Sequence, residues 1–277
     1  MKAAPFSYRR AATLDEALAA GGETSRFLAG GQSLVPMMNL RLTLADTMID
    51  ISGLAELRRS GREGDRVFIG AGVTHAMIED GRIEDPSRGY LRHVAGGIAF
   101  RSVRNRGTLG GSLAHADPAA DWPTALLALG AEAVVRGAGG ERRLPLTQFQ
   151  LGLMETALRP DEILVGVTVP VLSDLARWSY RKFCRKSGEF AHSIAAAVCD
   201  PRRELAEVVL GAAADKPCRL GRASALLADG ARVDPQQLGQ VVDEDVRDAT
   251  GLAASSYEFH LHRTMVVRAC AHLREQT

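Results

Sequence analysis

Hydrophobic and polar positions along the first part of the chain predict a small lobe of alternating helices and strands. Thr13 and Glu16 have the spacing of a capping box at the start of a helix. Apolar segments at residues 26–29 and 47–51 predict strands, the second because it is rich in β-branched residues. We therefore expect a first lobe over residues 1–57.

A second lobe is predicted by the pattern between residues 58 and 173. An apolar strand is expected at 66–73, after a polar turn, and another at 163–170 closes the lobe. Between them, two short β-rich segments on either side of the glycine-rich residues 137–140 indicate a hairpin. Helices are expected from Thr74, over residues 91–99 and after Pro118 as far as Gly130.

The composition changes again after Pro170, where strands are followed by helices. This order is typical of an α+β domain, which we expect over residues 174–277. The strands are expected at 178–183, 193–198 and 205–213, and the helices near 220–227, 235–246 and 257–273.

Composition and charge exclude several classes of function. The 277 residues have a formal net charge of +1 and no basic run interleaved with aromatic residues, so no nucleic-acid partner is expected. No window approaches the roughly 18 apolar residues that a membrane-spanning helix needs. The cationic N-terminus is not followed by the apolar stretch of a secretory signal, and we expect a cytoplasmic protein.

Residues that commonly bind metals are not spaced as a ligand set. None of the four cysteines, Cys184, Cys199, Cys218 and Cys270, forms a CxxC pair. His115 has no second histidine or cysteine at metal-binding spacing. We therefore expect no metal or iron–sulfur centre in this chain.

Two glycine-rich segments carry the candidate chemistry. A backbone without Cβ atoms can approach an anion closely and offer its N–H groups to phosphate oxygens. The first segment is neither a Walker A loop nor a GxGxxG fingerprint. Each could be a simple turn, but together they predict two walls that close on one diphosphate-bearing cofactor. The first glycine segment consists of Ala29, Gly30, Gly31, Gln32 and Ser33; the second consists of Thr108, Leu109, Gly110, Gly111 and Ser112.

Two charged positions have both a functional and a plain interpretation. Asp121 could accept hydrogen bonds from sugar hydroxyl groups, or it could be a solvated acid. Lys186 belongs to a group of cations at residues 181–186, which could be a solvated face. Alternatively, a strand ending near Lys186 could place its charge near a cofactor ring or phosphate.

Three segments of the chain, residues 29–36, 108–121 and 185–191, resemble the FAD-binding medium subunit of the molybdenum hydroxylases, the family of carbon monoxide dehydrogenase and xanthine dehydrogenase. The resemblance covers nearly the whole chain in the same order. It implies an α+β fold with a two-lobed FAD-binding domain of the vanillyl-alcohol oxidase type. A C-terminal α+β domain with a three-stranded sheet and helices would follow.

The resemblance also implies roles for particular residues. Both glycine segments would wrap the FAD diphosphate and ribityl chain, and Asp121 would hold FAD hydroxyl groups. Leu164 would pack near the flavin or the adenine, and Lys186 would approach the isoalloxazine ring. Ile98 and Ala99 would lie near that ring. The resemblance implies no catalytic residue in this chain.

The implied function is electron transfer within a complex. Substrate would be hydroxylated at a molybdenum–pterin centre in a large subunit, and electrons would pass through two [2Fe–2S] clusters in a small subunit to FAD here. FAD would pass them to an external acceptor, and the assembly would be a dimer of heterotrimers. Two alternatives are a stand-alone FAD-dependent oxidase of the same fold and a nucleotide-binding module without enzymatic activity.

Overall fold

Each of the three predicted groups of elements forms its own main sheet in the computed structural model, which describes residues 2–229 and 234–275. The first group consists of β1 (Ser7–Arg10), α1 (Leu14–Ala20), β2 (Ser25–Leu28), α2 (Leu34–Asn39) and β3 (Thr47–Asp50). Its strands are parallel, with β3 between β1 and β2. Helix α1 begins as predicted, because the Thr13 hydroxyl accepts a hydrogen bond from the N–H group of Glu16. The Glu16 carboxylate caps the N–H group of Ala12 rather than that of Thr13.

The second group is a five-stranded antiparallel sheet with helices packed against it. Its elements are a 3-10 turn (Ala55–Arg58), β4 (Ser60–Glu63), β5 (Arg66–Gly70), α3 (His75–Glu79), α4 (Tyr90–Gly96), α5 (Arg101–Arg104), α6 (Leu109–His115), α7 (Asp121–Ala128), β6 (Glu132–Gly137), β7 (Gly140–Pro145), α8 (Leu146–Phe149), β8 (Gln150–Gly152), β9 (Glu155–Thr156) and β10 (Ile163–Pro170). The strand order is β4–β5–β10–β6–β7, and β8 and β9 form a separate small ribbon. The predicted hairpin is confirmed as β6 and β7.

The third group is an antiparallel sheet followed by three helices. Its elements are β11 (Arg177–Phe183), β12 (Ser193–Asp200), a 3-10 turn (Pro201–Arg203), β13 (Leu205–Gly211), β14 (Cys218–Arg219), α9 (Gly221–Ala228), α10 (Pro235–Thr250) and α11 (Tyr257–Glu275). The prediction of three strands in this sheet is wrong. The sheet has a fourth strand, because the two-residue strand β14 pairs with β13 at the edge. Two residues are too few to show the alternation of apolar and polar positions by which a strand is recognised in a sequence.

Strand β12 joins the third sheet to the second lobe. All of its residues are buried, and alternate side chains belong to different cores. Ile194, Ala196 and Val198 lie in the core that contains the second lobe, whereas Ala195 and Ala197 face the C-terminal helices. The packed core therefore crosses the expected boundary at residues 173/174, and the division into domains stays a prediction.

A smaller core joins the first lobe to the second. Ile49 of β3 and Leu14 of α1 pack with Val165 of β10 and Phe68 of β5. This contact covers the face of the central strand β10 that the helices of the second lobe leave free. The first lobe is thereby fixed against the second, and a cleft remains between their facing edges.

Candidate functional site

The cleft between the first and second lobes has a volume of about 250 Å³. Residues of both glycine segments line it. The start of strand β10 and the turn after β3 also line the cleft. The predicted site residues that line the cleft are Ala29, Gly30, Thr108, Gly110, Gly111 and Leu164.

The first glycine segment has the geometry of an anion cradle. Gly31 has a φ of 73°, in the left-handed region, and Ser33, two residues further on, is right-handed. Among the residues that the structure describes, none accepts a hydrogen bond from the backbone N–H groups at positions 30–33. Successive free N–H groups in a turn form a concave donor site for anions. Helix α2 begins at Leu34, so the cradle leads directly into it.

Gln32 and Ser33 leave this cradle open. The Gln32 amide donates to the carbonyl oxygen of Gly30 at 3.2 Å, which steadies the turn from within. Ser33 is the N-cap of α2, but its hydroxyl makes no capping hydrogen bond. The hydroxyl is therefore free to contact a ligand.

The second glycine segment is not the loop that the sequence predicts. Thr108 is an N-cap and the four residues after it form the first turn of α6, so most of their N–H groups are already engaged. The glycines here serve close packing: a Cβ on Gly110 would lie 2.3 Å from Ala71 Cβ. The engaged N–H groups are Leu109 to Val73 O at 3.0 Å, Gly110 to Ala71 O at 2.9 Å, Gly111 to Thr108 Oγ1 at 3.0 Å and Ser112 to Thr108 O at 3.1 Å.

The two glycine segments nevertheless meet. A Cβ on Gly30 would lie 2.0 Å from the carbonyl oxygen of Arg106, and one on Gly111 would lie 3.9 Å from Ala29 Cβ. Leu109 is different, because its side chain is fully buried in the core and only its backbone can adjoin the cleft. Ser112 is half-buried, one turn further along α6.

The buried pair of His75 and Trp122 contacts Gly107, the residue directly before the second glycine segment. The Trp122 indole N–H donates to His75 Nδ1 at 3.0 Å, and the backbone N–H of His75 donates to the carbonyl of Gly107. Burial lowers the pKa of His75 to about 4, with a smaller contribution from the Arg104 charge, so the ring is neutral near neutral pH. The sequence analysis missed this pair, because its role depends on a contact between distant residues.

Asp121 lies apart from the cleft, at the junction with the third sheet. Its carboxylate accepts a hydrogen bond from the Tyr180 hydroxyl at 2.7 Å and forms an ion pair with Lys182 at 2.9 Å. Burial raises the pKa of Asp121 above its usual value, and the Lys182 charge opposes that shift. Burial also raises the pKa of Tyr180, so this residue remains a hydrogen-bond donor.

Lys182 connects Asp121 to the predicted ring position at Ile98 and Ala99. Its Nζ atom lies 3.4 Å from the carbonyl oxygen of Gly97, next to these half-buried residues. We refer to Asp121, Lys182, Ile98 and Ala99 as the junction group. Sequence reasoning did not single out Lys182, although it lies within the same group of cations as Lys186.

Lys186 is not where strand alternation would place it. Strand β11 ends at Phe183, and Lys186 lies in the exposed turn that follows. Among the residues that the structure describes, no hydrogen bond or ion pair joins Lys186 to the junction group. Its approach to a flavin ring stays a prediction, as does the binding role of each residue above.

Two cations that the sequence analysis did not select also line the cleft. The Arg58 guanidinium donates to the carbonyl of Ser52 at 2.7 Å. Arg106 is exposed, and its side chain forms no ion pair within the described ranges. Positive charge at the cleft complements the free N–H groups of the first glycine segment in attracting an anion.

Comparisons with known proteins agree with this geometry. Residues 4–172 match the family described as the FAD binding domain in molybdopterin dehydrogenase. The chain is 34% identical over 242 residues to the nicotine 6-hydroxylase medium subunit of Paenarthrobacter nicotinovorans, covering 86% of this chain and 84% of that one. It is 33% identical over 226 residues to caffeine dehydrogenase subunit beta of Pseudomonas sp. (strain CBB1), covering 79% and 77%.

A solved structure covers the chain from end to end. It is a carbon monoxide dehydrogenase from Hydrogenophaga pseudoflava which lacks the Mo-pyranopterin moiety of the molybdenum cofactor. The TM-score is 0.87 at 30% identity, and the match covers 100% of this chain and 99% of that one. Within the described ranges, no helix is long and apolar enough to cross a membrane.

Replacement of Gly30 by alanine is expected to destabilise the chain, because the new Cβ would meet the backbone carbonyl of Arg106. Overpacking of this kind costs about 1–3 kcal/mol, measured as a lower free energy of unfolding in urea. The control is Gly22→Ala, since a Cβ at Gly22 has no neighbour within 4 Å. Equal stabilities of the two variants would contradict the close contact between the glycine segments.

His75 is expected to make stability fall on acidification. A pKa lowered to about 4 means that the neutral ring contributes fully above about pH 6.5. That contribution, about 3 kcal/mol, is lost between about pH 6.5 and about pH 4 as unfolded chains bind the proton. His75→Gln retains an acceptor for Trp122 but cannot titrate. The difference in unfolding free energy between parent and variant should therefore shrink over this range, and a constant difference would refute the assignment.

Proposed function

Because the chain belongs to the family of FAD-binding domains in molybdopterin dehydrogenases, we propose that it is the flavoprotein subunit of a molybdenum-containing dehydrogenase, an oxidoreductase. The observation that carries the proposal is the meeting of the two glycine segments across one cleft, with the free N–H groups at positions 30–33 on one side. An FAD diphosphate requires such a concave set of donors. The cofactor fits this chain because the cradle offers free donors, and the carboxylate of Glu162, which also lines the cleft, is held in an ion pair with Arg142 at 2.7 Å.

The diphosphate is assigned to the first glycine segment, facing Gly111. Arg106 supports this placement, since this exposed arginine lines the same cleft. The cleft volume of about 250 Å³ is below the roughly 300–1,000 Å³ typical of a pocket for a drug-sized ligand. We infer that the cleft holds one end of the FAD, its adenosine part, against the apolar side chain of Leu164.

The flavin ring is assigned to the junction group. Ile98 offers an apolar surface there, and Lys182 offers a cation paired with Asp121. A cation near the ring favours the more negative charge of the reduced state. Asp121 would hold FAD hydroxyl groups only if one of its bonds to Tyr180 or Lys182 were exchanged or shared.

FAD supplies the electron chemistry, and this chain supplies binding, orientation and charge. We propose that electrons reach the FAD from two [2Fe–2S] clusters in a small subunit and pass to an external acceptor. A large subunit would hold the molybdenum–pterin cofactor, and the complex would be a dimer of heterotrimers. A cytoplasmic location agrees with the four cysteines, which are free.

Co-expression with the two partner subunits tests this assignment. The expected result is a complex that co-purifies with stoichiometric FAD, released on denaturation, and whose flavin absorbance bleaches when the clusters are reduced. Omission of the small subunit should abolish bleaching of the flavin through the clusters, whereas this chain should still bind FAD. A chain that oxidises a substrate with dioxygen in the absence of both partners would instead establish a stand-alone flavin oxidase.

Replacement of single lysines decides which cation serves the flavin. Lys182→Met is expected to weaken FAD retention at least about tenfold, about 1.4 kcal/mol, because it leaves the buried Asp121 unpaired at the ring position. Lys186→Met is the matched control, since that side chain is exposed and outside the junction group. FAD content per chain is measured after gel filtration of each complex. A loss confined to Lys186→Met would restore the original prediction for Lys186.

A further inference from the structure

A turn between α4 and α5 has three successive carbonyl groups held by cations. Lys182 Nζ lies 3.4 Å from the oxygen of Gly97. Arg104 Nη1 donates to the oxygens of Ile98, at 2.9 Å, and Ala99, at 3.1 Å. Lys182 reaches the turn from the third sheet, whereas Arg104 lies on α5, directly after the turn. The turn is thus held from two sides.

The rest of the Arg104 guanidinium is fixed by Glu79. Nε and Nη2 donate to the two carboxylate oxygens of Glu79, at 2.8 and 3.0 Å. The Arg104 side chain is only 12% exposed. Its planar fork serves a carboxylate and two carbonyl groups at once, which a lysine cannot do. The hydrogen bond from Arg104 is the main reason that the pKa of Glu79 is lowered, so the carboxylate stays ionised.

Ala99 needs such support. Its φ is 41°, in the left-handed region that residues other than glycine rarely adopt. With its carbonyl group held by Arg104, the backbone group left for an outside partner is its N–H. Within the described chain, nothing accepts a hydrogen bond from this N–H group.

Arg101 is a neighbouring arginine with a different set of contacts. It forms ion pairs with Glu79 and Asp80, and its side chain is 46% exposed. It donates to none of the three carbonyl groups of the turn. Arg101 thus has the same charge as Arg104 and shares its partner Glu79, but it makes no hydrogen bond to the backbone of the turn.

We propose that Arg104 is a positioning residue for the flavin ring: by holding the carbonyl groups of Ile98 and Ala99, it fixes the Ala99 N–H group as a hydrogen-bond donor to an acceptor atom at the ring edge. The inference rests on the proposed function, which assigns the ring to this turn. A fixed donor stabilises the reduced ring more than the oxidised one, because the reduced ring carries more negative charge. Arg104 thereby raises the midpoint potential of the flavin and tightens FAD binding.

The test uses the whole complex with Arg104→Met, Arg104→Lys or Arg101→Met in this chain. FAD affinity is measured by reconstitution after mild removal of FAD, and the midpoint potential by spectroelectrochemical titration. Both Arg104 variants are expected to raise the Kd for FAD at least about tenfold and to shift the midpoint potential to more negative values. Arg104→Lys keeps the charge but cannot make all four hydrogen bonds, so it separates positioning from charge.

The Arg101→Met complex should match the parent in both measurements, since the turn is untouched. Parental affinity and potential in Arg104→Lys would overturn the inference, as would equal shifts in Arg104→Met and Arg101→Met, which indicate charge alone. If Arg104→Met does not assemble, the comparison of Arg104→Lys with Arg101→Met decides. A parent complex that lacks FAD would overturn the proposed function itself, and that outcome is distinct from any effect of Arg104.

Discussion

Close contact between backbone segments at two glycines is the constraint on which the cleft depends. A Cβ on Gly30 would lie 2.0 Å from the Arg106 carbonyl oxygen, and one on Gly110 would lie 2.3 Å from Ala71 Cβ. The first contact lets the first lobe dock on the second, and the second seats α6 against the end of β5. Only glycine allows both approaches. The width of the cleft is therefore set by the lack of a side chain at Gly30 and Gly110, before any ligand binds.

The junction group depends on the third sheet. Two side chains of β11, Tyr180 and Lys182, supply both partners of the Asp121 carboxylate, which belongs to the second lobe. A buried carboxylate without such partners would be strongly destabilising. The shared core around β12 keeps the third sheet in place against the second lobe. Docking of the C-terminal elements thus completes a charged site that the first two lobes alone would leave unpaired.

Local signals in the sequence predict most elements but not the contacts between them. The Thr13 cap, the β6–β7 hairpin and the first glycine segment are visible because neighbouring residues determine them. The second glycine segment was wrong as a loop, since its N-cap, Thr108, and the strand carbonyls that engage it are recognisable only in the folded chain. Lys182 was missed for Lys186 because its contacts with Asp121 and Gly97 exist only in the folded chain. His75 and Arg104 depend on tertiary contacts throughout.

Helix α3 links the two ends of the proposed FAD site. At its start, Thr74 forms a β-bridge with Thr108, beside the diphosphate cradle. At its end, Glu79 holds Arg104 and through it the turn at Ala99. The helix has five residues, about 7 Å at 1.5 Å per residue. Relatives named for nicotine and caffeine are similar to this chain in sequence, and a carbon monoxide dehydrogenase shares its fold. A short rigid spacer between cradle and turn suits a subunit that holds one cofactor in one position whatever substrate the complex oxidises.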